Sequence, residues 1–179
     1  HWMHAHVHGS TAPQVRNGMA GALILKGATD QWLADSYGIK GDKEKIMLIQ
    51  QLENSDGDPL CGNSVAGTPI TNSINGQCLP TITVTEKDVH HWRLIHTGVS
   101  ATVNFNIEDS KSNKLDFVEY ARDGINLGKT NQPNGNMVAL YPGYRSDILF
   151  KVPAIKDLRV DRDPCPLYVV DGYSTAKES

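Results

Sequence analysis

Ala101-Thr102-Val103-Asn104-Phe105-Asn106-Ile107 is the stretch that decides the fold class. Val103, Phe105 and Ile107 alternate with Asn104 and Asn106, the two-residue period of a strand with one face buried. Working outward, the same kind of segment recurs. Downstream come Leu115 to Ala121, Met137 to Tyr141, Arg145 to Val152 and a last short strand at Leu167 to Val170. Arg122-Asp123-Gly124, Asn134-Gly135 and Pro142-Gly143 supply turns between them. Upstream, His90 to His96 puts Trp92, Leu94 and His96 on one face and His91, Arg93 and Ile95 on the other. Leu79 to Thr85 alternates as a short strand, Ile46 to Ile49 is a compact apolar run, and Met19 to Lys26 reads as a buried strand closed by Gly27. No segment sustains a 3.6-residue apolar period over three turns, although a short helix is expected over Asp30 to Tyr37. Strands at roughly ten-residue intervals, with Gly, Pro and Asn between them, make an all-β chain, an antiparallel sandwich or barrel.

The 179 residues suffice for one well-cored domain with part of another. A net charge of -3 and scattered basic residues give no footprint for nucleic acid. No apolar run approaches the roughly 20 residues of a membrane helix. The chain starts at His1 rather than Met, and is expected to be an excised piece of something longer. Residues 28 to 44 are polar and mixed, the best place for a boundary, and Asp42-Lys43-Glu44-Lys45 reads as a solvated charged turn. Gln50 to Asn75 is longer than structureless loops in compact domains usually are.

Four of the seven histidines fall in His1-Trp2-Met3-His4-Ala5-His6-Val7-His8-Gly9. Imidazole is the commonest neutral metal ligand, and in an extended chain His4, His6 and His8 project from one face. A polar chain end or a tag remnant would also contain histidines, but these are interleaved with Trp, Met, Ala and Val. The three cysteines, Cys61, Cys78 and Cys165, form no CxxC and none adjoins a histidine, which argues against a zinc ribbon or a redox dithiol. Cys61 and Cys78 could pair. Glu108-Asp109 and Asp161-Arg162-Asp163 read as loop clusters. No Ser-His-Asp arrangement sits in a glycine elbow, and no phosphate loop is present.

Trp2-Met3-His4-Ala5-His6-Val7-His8-Gly9, with Thr11-Ala12, Gln14-Val15 and Gly18-Met19-Ala20-Gly21-Ala22-Leu23-Ile24, closely resembles the end of the first cupredoxin domain of multicopper oxidases, the laccase-like enzymes. Ile74-Asn75-Gly76-Gln77, Pro80-Thr81-Ile82 and Trp92-Arg93-Leu94-Ile95 resemble the start of that family's second cupredoxin domain. Asp123-Gly124 and Leu140-Tyr141-Pro142-Gly143-Tyr144-Arg145-Ser146-Asp147-Ile148-Leu149 resemble its later strands. The resemblance runs in order over about residues 2 to 153. It implies a cupredoxin-like Greek-key β-sandwich. Residues 1–37 would be the C-terminal segment of a first domain, 38–158 a second cupredoxin domain, and 159–179 a linker or tail.

The resemblance further implies that His4 and His6 ligate copper in a trinuclear cluster, each on a different ion of the binuclear pair. His8 matches a histidine that is not a usual ligand, and His90, His91 and His96 would have structural roles. The implied parent couples one-electron oxidation of a small-molecule reductant to reduction of dioxygen to water, with the remaining cupredoxin domains or neighbouring subunits as partners, in a secreted or periplasmic setting. A blue copper needs a cysteine thiolate with two histidines. The HCH-type and HxxHxH motifs that supply the remaining ligands are absent from this stretch, so the isolated chain is expected to be inactive. The alternative is a non-catalytic β-sandwich interaction or structural module that binds metal adventitiously.

Overall fold

The alternation around Phe105 becomes strand β6 (Val103–Glu108), the centre of a three-stranded sheet. The computed structural model describes residues 1–53, 70–77, 80, 82–109, 112–131, 133, 136–154 and 168–171. In chain order the described elements are β1 (Trp2–His4), α1 (Thr11–Arg16), β2 (Ala20–Ala22), α2 (Ala28–Tyr37), a single 3-10 turn (Gly41–Lys43), β3 (Glu44–Glu53), β4 (Ile70–Ile74), β5 (Val89–His96), β6, β7 (Val118–Arg122), β8 (Ile125–Asn131), β9 (Val138–Leu140), β10 (Arg145–Lys151) and β11 (Tyr168–Asp171). The three cysteines lie outside the described residues, and so does most of 159–179.

Two sheets face each other. One has six strands in the order β4-β3-β5-β10-β7-β8, the other three in the order β11-β6-β9. Met47, Trp92, Leu94, Ile148 and Phe150 from the first meet Val103, Phe105, Ile107, Val138 and Leu140 from the second in one buried apolar cluster. Trp92 lies edge-on to Phe105 across the layers, ring centroids 6.4 Å apart, and is tilted against Phe150 of its own sheet at 5.3 Å. This is the all-β, cupredoxin-like Greek-key sandwich expected from the sequence.

Three details of the sheets differ from the sequence reading. β3 pairs parallel with β5 in a sheet whose other neighbours are antiparallel. Parallel neighbours cannot be joined by a tight turn, so the chain leaves β4 and crosses over through residues 75–88. That crossover holds no strand at the described residues of Leu79 to Thr85; Ile82 and Val84 pack against the core as irregular chain. The polar stretch after Ile49 instead supplies the end of β3 and the whole of β4, which hydrogen bonding rather than apolar alternation makes.

The outer face of the six-stranded sheet is covered by the N-terminal segment. Leu33 of α2 and Ile39 are buried against Tyr120 and Ala121, with Val89 and Leu149 at the margin. Gly38 ends α2 in the left-handed conformation (φ 65°), which costs glycine nothing and other residues about 1 kcal/mol or more. Within the polar stretch 28–44, Leu33 and Ile39 thus anchor the chain to the sheet. By contrast, Met19 to Lys26 is not a buried strand: only Ala20–Ala22 is strand, and Met19, Leu23 and Leu25 are exposed. Its neighbour β1 is three residues long, so two short strands cannot close a core by themselves.

Candidate metal centre

Strands β1 and β2 form an antiparallel ribbon in the register Trp2↔Ala22, Met3↔Gly21 and His4↔Ala20. The pairing continues for one bond from the Ala5 amide to the Met19 carbonyl. Because side chains alternate across an extended chain, Trp2, His4, His6 and His8 follow one another as a row of rings. Trp2 stacks on His4 with centroids 4.3 Å apart and planes 25° from parallel. His4 and His6 are 5.6 Å apart, and His6 and His8 5.8 Å. His4 is partly buried, whereas His6 and His8 are exposed.

His4 Nδ1 lies 2.8 Å from its neighbour's carbonyl, Ala5 O. A carbonyl only accepts, so in the neutral ring the proton sits on Nδ1 and the Nε2 lone pair is left for a metal. That is the tautomer a ligating histidine needs, fixed by a second partner as such ligands generally are. Two imidazoles this close fit copper, serving either one ion or two adjacent ones.

The ribbon leans on the sandwich at three places. Val15 of α1 is buried, the Gln50 amide donates to the Gly18 carbonyl (3.3 Å), and the Trp2 indole rests at Gly143 in the β9–β10 turn. The three histidines of β5 are buried in the sandwich, away from the ribbon. His96 uses both ring nitrogens, receiving the Gly98 amide at Nδ1 (3.0 Å) and facing the Ala101 carbonyl from Nε2 (2.9 Å). His91 Nε2 is 2.7 Å from the Tyr120 hydroxyl. His90 is buried, and neither of its ring nitrogens has a partner among the described residues. Burial, reinforced by Lys45, holds its pKa below the ordinary histidine value.

A second polar cluster stands under α2, centred on Arg93. Its guanidinium donates to Glu44 through Nε (2.9 Å), to Asp147 through Nη1 (3.4 Å) and to Asp30 through Nη2. Lys26 adds a bond to Glu44 (2.5 Å), and Asp30 also receives the Gly27 amide at the start of α2 (2.7 Å). Burial raises the Asp30 and Glu44 pKa values. The Gly27 amide and Arg93 outweigh it at Asp30, and Lys26 and Arg93 at Glu44, so both carboxyls lie below their ordinary range. Glu44 is thus an anchored partner rather than part of a solvated turn. Asp30, Glu44 and His91 bring ligating atoms within 4.8 Å of one another, but the guanidinium already occupies the cation's place. A cavity of about 290 Å³ opens beside this cluster, between Leu25, Ala28, Arg93, Tyr120 and Asn126, and does not include His4 or His6.

The sequence reading singled out His4 and His6, and the structure brings them together. It missed Trp2 as their neighbour, although an aromatic ring two residues before His4 was the available signal. It also missed the Arg93 cluster, whose members span residues 26 to 147 and share no local pattern.

No family model and no curated protein matches the chain. Solved structures do. The McoA multicopper oxidase of the hyperthermophile Aquifex aeolicus superposes with a TM-score of 0.69 at 22% identity, over 84% of this chain and 33% of that one. A laccase from Pediococcus acidilactici Pa5930 gives 0.67 at 21% identity, over 95% of this chain and 35% of that one. The laccase-like multicopper oxidase CueO of the lignin-degrading bacterium Ochrobactrum sp. gives 0.61 at 19% identity, over 83% and 33%. The chain has the fold found in these oxidases and spans about a third of their length.

Proposed function

We propose that this chain is a segment of a copper-dependent oxidase that couples one-electron oxidation of a small-molecule reductant to reduction of dioxygen to water. The observation that carries it is the His4–His6 pair, 5.6 Å apart, with His4 Nδ1 tied to a carbonyl, on a ribbon mounted against a cupredoxin-like sandwich. His4 and His6 would hold copper, and copper supplies one-electron redox chemistry. The protein's part is to present the oriented Nε2 lone pair of His4, its tautomer set by the Ala5 carbonyl, beside the more adjustable ring of His6.

In this reading residues 1–37 belong to a first cupredoxin domain, 38–158 form a second, and 159–179 are linker. The exposed Met3, Val7, Met19, Leu23 and Leu25 on and beside the ribbon support the division, since further strands of a first domain would cover them. The partners are the remaining cupredoxin domains or neighbouring subunits, and the setting is secreted or periplasmic. Among the described residues no helix is long and apolar enough to cross a membrane. Two ligands do not make a four-electron centre, so the isolated chain binds copper but does not turn over.

Calorimetric titration with Cu(II) tests this. The chain should show a binding phase that His4→Gln and His6→Gln each remove, without a band near ~600 nm, because no histidine-flanked thiolate is present to make a blue site. Equal binding by parent and both variants would leave the sandwich as a non-catalytic module with adventitious metal affinity. The flanking sequence of the parent reading frame should also contain the HxHG, HxxHxH and HCHxxxH blocks.

A further inference from the structure

We infer that Trp2 is the positioning residue of this site, holding the His4 imidazole in its metal-binding orientation by stacking on it and bracing it against the β9–β10 turn. The inference rests on the copper reading of His4 given above. Trp2 and His4 lie on the same side of β1, two residues apart, and their rings are stacked rather than merely adjacent: 4.3 Å between centroids, 25° between planes. Stacking leaves the imidazole edge, and with it Nε2, open, while blocking one face of the ring. The Ala5 carbonyl takes Nδ1 (2.8 Å). One contact sets the ring's tilt and the other its rotation, so together they restrict His4 from two independent directions.

A stack positions a ligand only if the stacking partner is itself held. Trp2 is held from outside the ribbon. A Cβ built on Gly143 would stand 3.5 Å from Trp2 Cζ2 and 4.0 Å from Nε1, so the indole lies over a backbone position that carries no side chain. Gly143 has a φ of +86°, which most residues adopt only with strain. Its turn is rigidly tied to the sandwich. The Gly143 amide donates to the His96 carbonyl (2.9 Å), the His96 amide to the Tyr144 carbonyl (3.0 Å), and Arg145 Nη1 to the Gly143 carbonyl (3.1 Å). Arg145 Nη2 in turn donates to the Asp123 carbonyl (2.8 Å), which joins the β7–β8 turn to the same brace. A continuous path thus runs from the sheet through Gly143 and Trp2 to His4. His6 has no such brace: its described ring neighbours are the other two histidines. The two ligands are unequal, one preset and one free to adjust.

The test is Cu(II) binding to the whole chain, by calorimetry and by electron paramagnetic resonance, for the parent, Trp2→Phe, Trp2→Leu and His4→Gln. Loss of a group that orients a ligand typically weakens metal binding by about tenfold or more. Trp2→Leu should therefore weaken the tightest Cu(II) phase by about tenfold and broaden its hyperfine lines. Trp2→Phe, which keeps a stacking face, should restore both. A Trp2→Leu protein that melts lower yet keeps the parent's affinity and spectrum would reduce Trp2 to a structural contact and overturn the inference, with the copper reading intact. Parent-like binding by His4→Gln would overturn the copper reading and this inference with it. Should Trp2→Leu not fold, failure of Trp2→Phe to match the parent spectrum, with its melting unchanged, also overturns it.

Discussion

Replacing Arg93 by alanine is the sharpest test of how the N-terminal segment is fastened to the sandwich. One guanidinium serves Asp30 of α2, Glu44 of β3 and Asp147 of β10, so its removal leaves three carboxylates facing one another. Removing one partner of a fully buried ion pair costs about 3–5 kcal/mol. This cluster is not fully dry: the Arg93 side chain is 12% exposed and the three carboxylates 20, 15 and 14%. Lys26 also still neutralises Glu44. Screening and the remaining cation bring the expected loss to about 2–3 kcal/mol. For a chain of this size that is a fall in melting temperature of roughly 5–10 °C.

The pH dependence gives the prediction its sign. Asp30 and Glu44 have folded pKa values below their ordinary range, against the opposing effect of burial. The stabilisation they contribute is therefore complete above the ordinary carboxylate range and is lost as pH falls through their folded values. In Arg93→Ala that contribution is reduced to what the Gly27 amide gives Asp30 and Lys26 gives Glu44, and protonation relieves the repulsion that remains. The deficit relative to the parent should be largest near neutrality and should shrink below about pH 4. Urea denaturation at neutral and acid pH reads both quantities. A deficit under about 0.5 kcal/mol at neutrality, typical of a surface pair, would refute the reasoning, and so would a deficit that widens toward acid.

Three further substitutions probe other contacts. His90 is buried, without a ring partner among the described residues and with a lowered pKa, so its folded form is neutral and the unfolded chain takes up the proton first on acidification. Its contribution is present above about pH 6.5 and declines below it, so His90→Leu should flatten the stability profile just below about pH 6.5; an unchanged slope counts against this. In Gly98→Ala the new Cβ would lie 2.4 Å from Gln51 Oε1, and Gln51 cannot retreat because it holds the Ala101 amide and carbonyl at 3.0 Å each. A loss of about 1–3 kcal/mol by chemical denaturation is expected, and a neutral result would mean that Gln51 is free to move. Leu33→Ala removes the apolar plug of α2 and should cost about 2–5 kcal/mol. It should also speed proteolysis before residue 40 relative to the sandwich, and equal cleavage rates in variant and parent would argue against a docked segment.

What the sequence made legible follows from the range of the interactions involved. Strand β6 was readable because alternation is a property of five consecutive residues, and turns such as Asp123-Gly124 and Pro142-Gly143 because two residues specify them. Strand β4 was not, because its residues 70–74 carry little apolar pattern and it forms by pairing with β3, a distant stretch of chain. The parallel β3–β5 pairing is likewise invisible locally, since nothing in either strand records which neighbour lies beside it. Even β6 is less one-sided than alternation implies: Asn106 is buried, its side-chain amide bonded to Glu108 (2.7 Å), with β11 alongside.

The same contrast separates the two halves of the candidate site. His4 and His6 are two residues apart, and their juxtaposition in an extended chain needs no tertiary information. Their orientation is another matter. A ribbon with three residues per strand is marginal in water, so the geometry of the pair has to come from what the ribbon leans on. Those supports are Val15 of α1, the Gln50–Gly18 bond, the Trp2–Gly143 contact, and the α2 attachment through Leu33 and Arg93. Each joins residues 32 or more positions apart, apart from the burial of Val15, and none is prefigured by composition or period. A motif can therefore name the candidate ligands, while the sandwich determines how well they are held. That division of labour explains why a short, half-exposed ribbon can hold His4 in one orientation: its support comes from β3 through Gln50 and from the β9–β10 turn through Gly143, with α2 fastened to β5, β7 and β10 beside it.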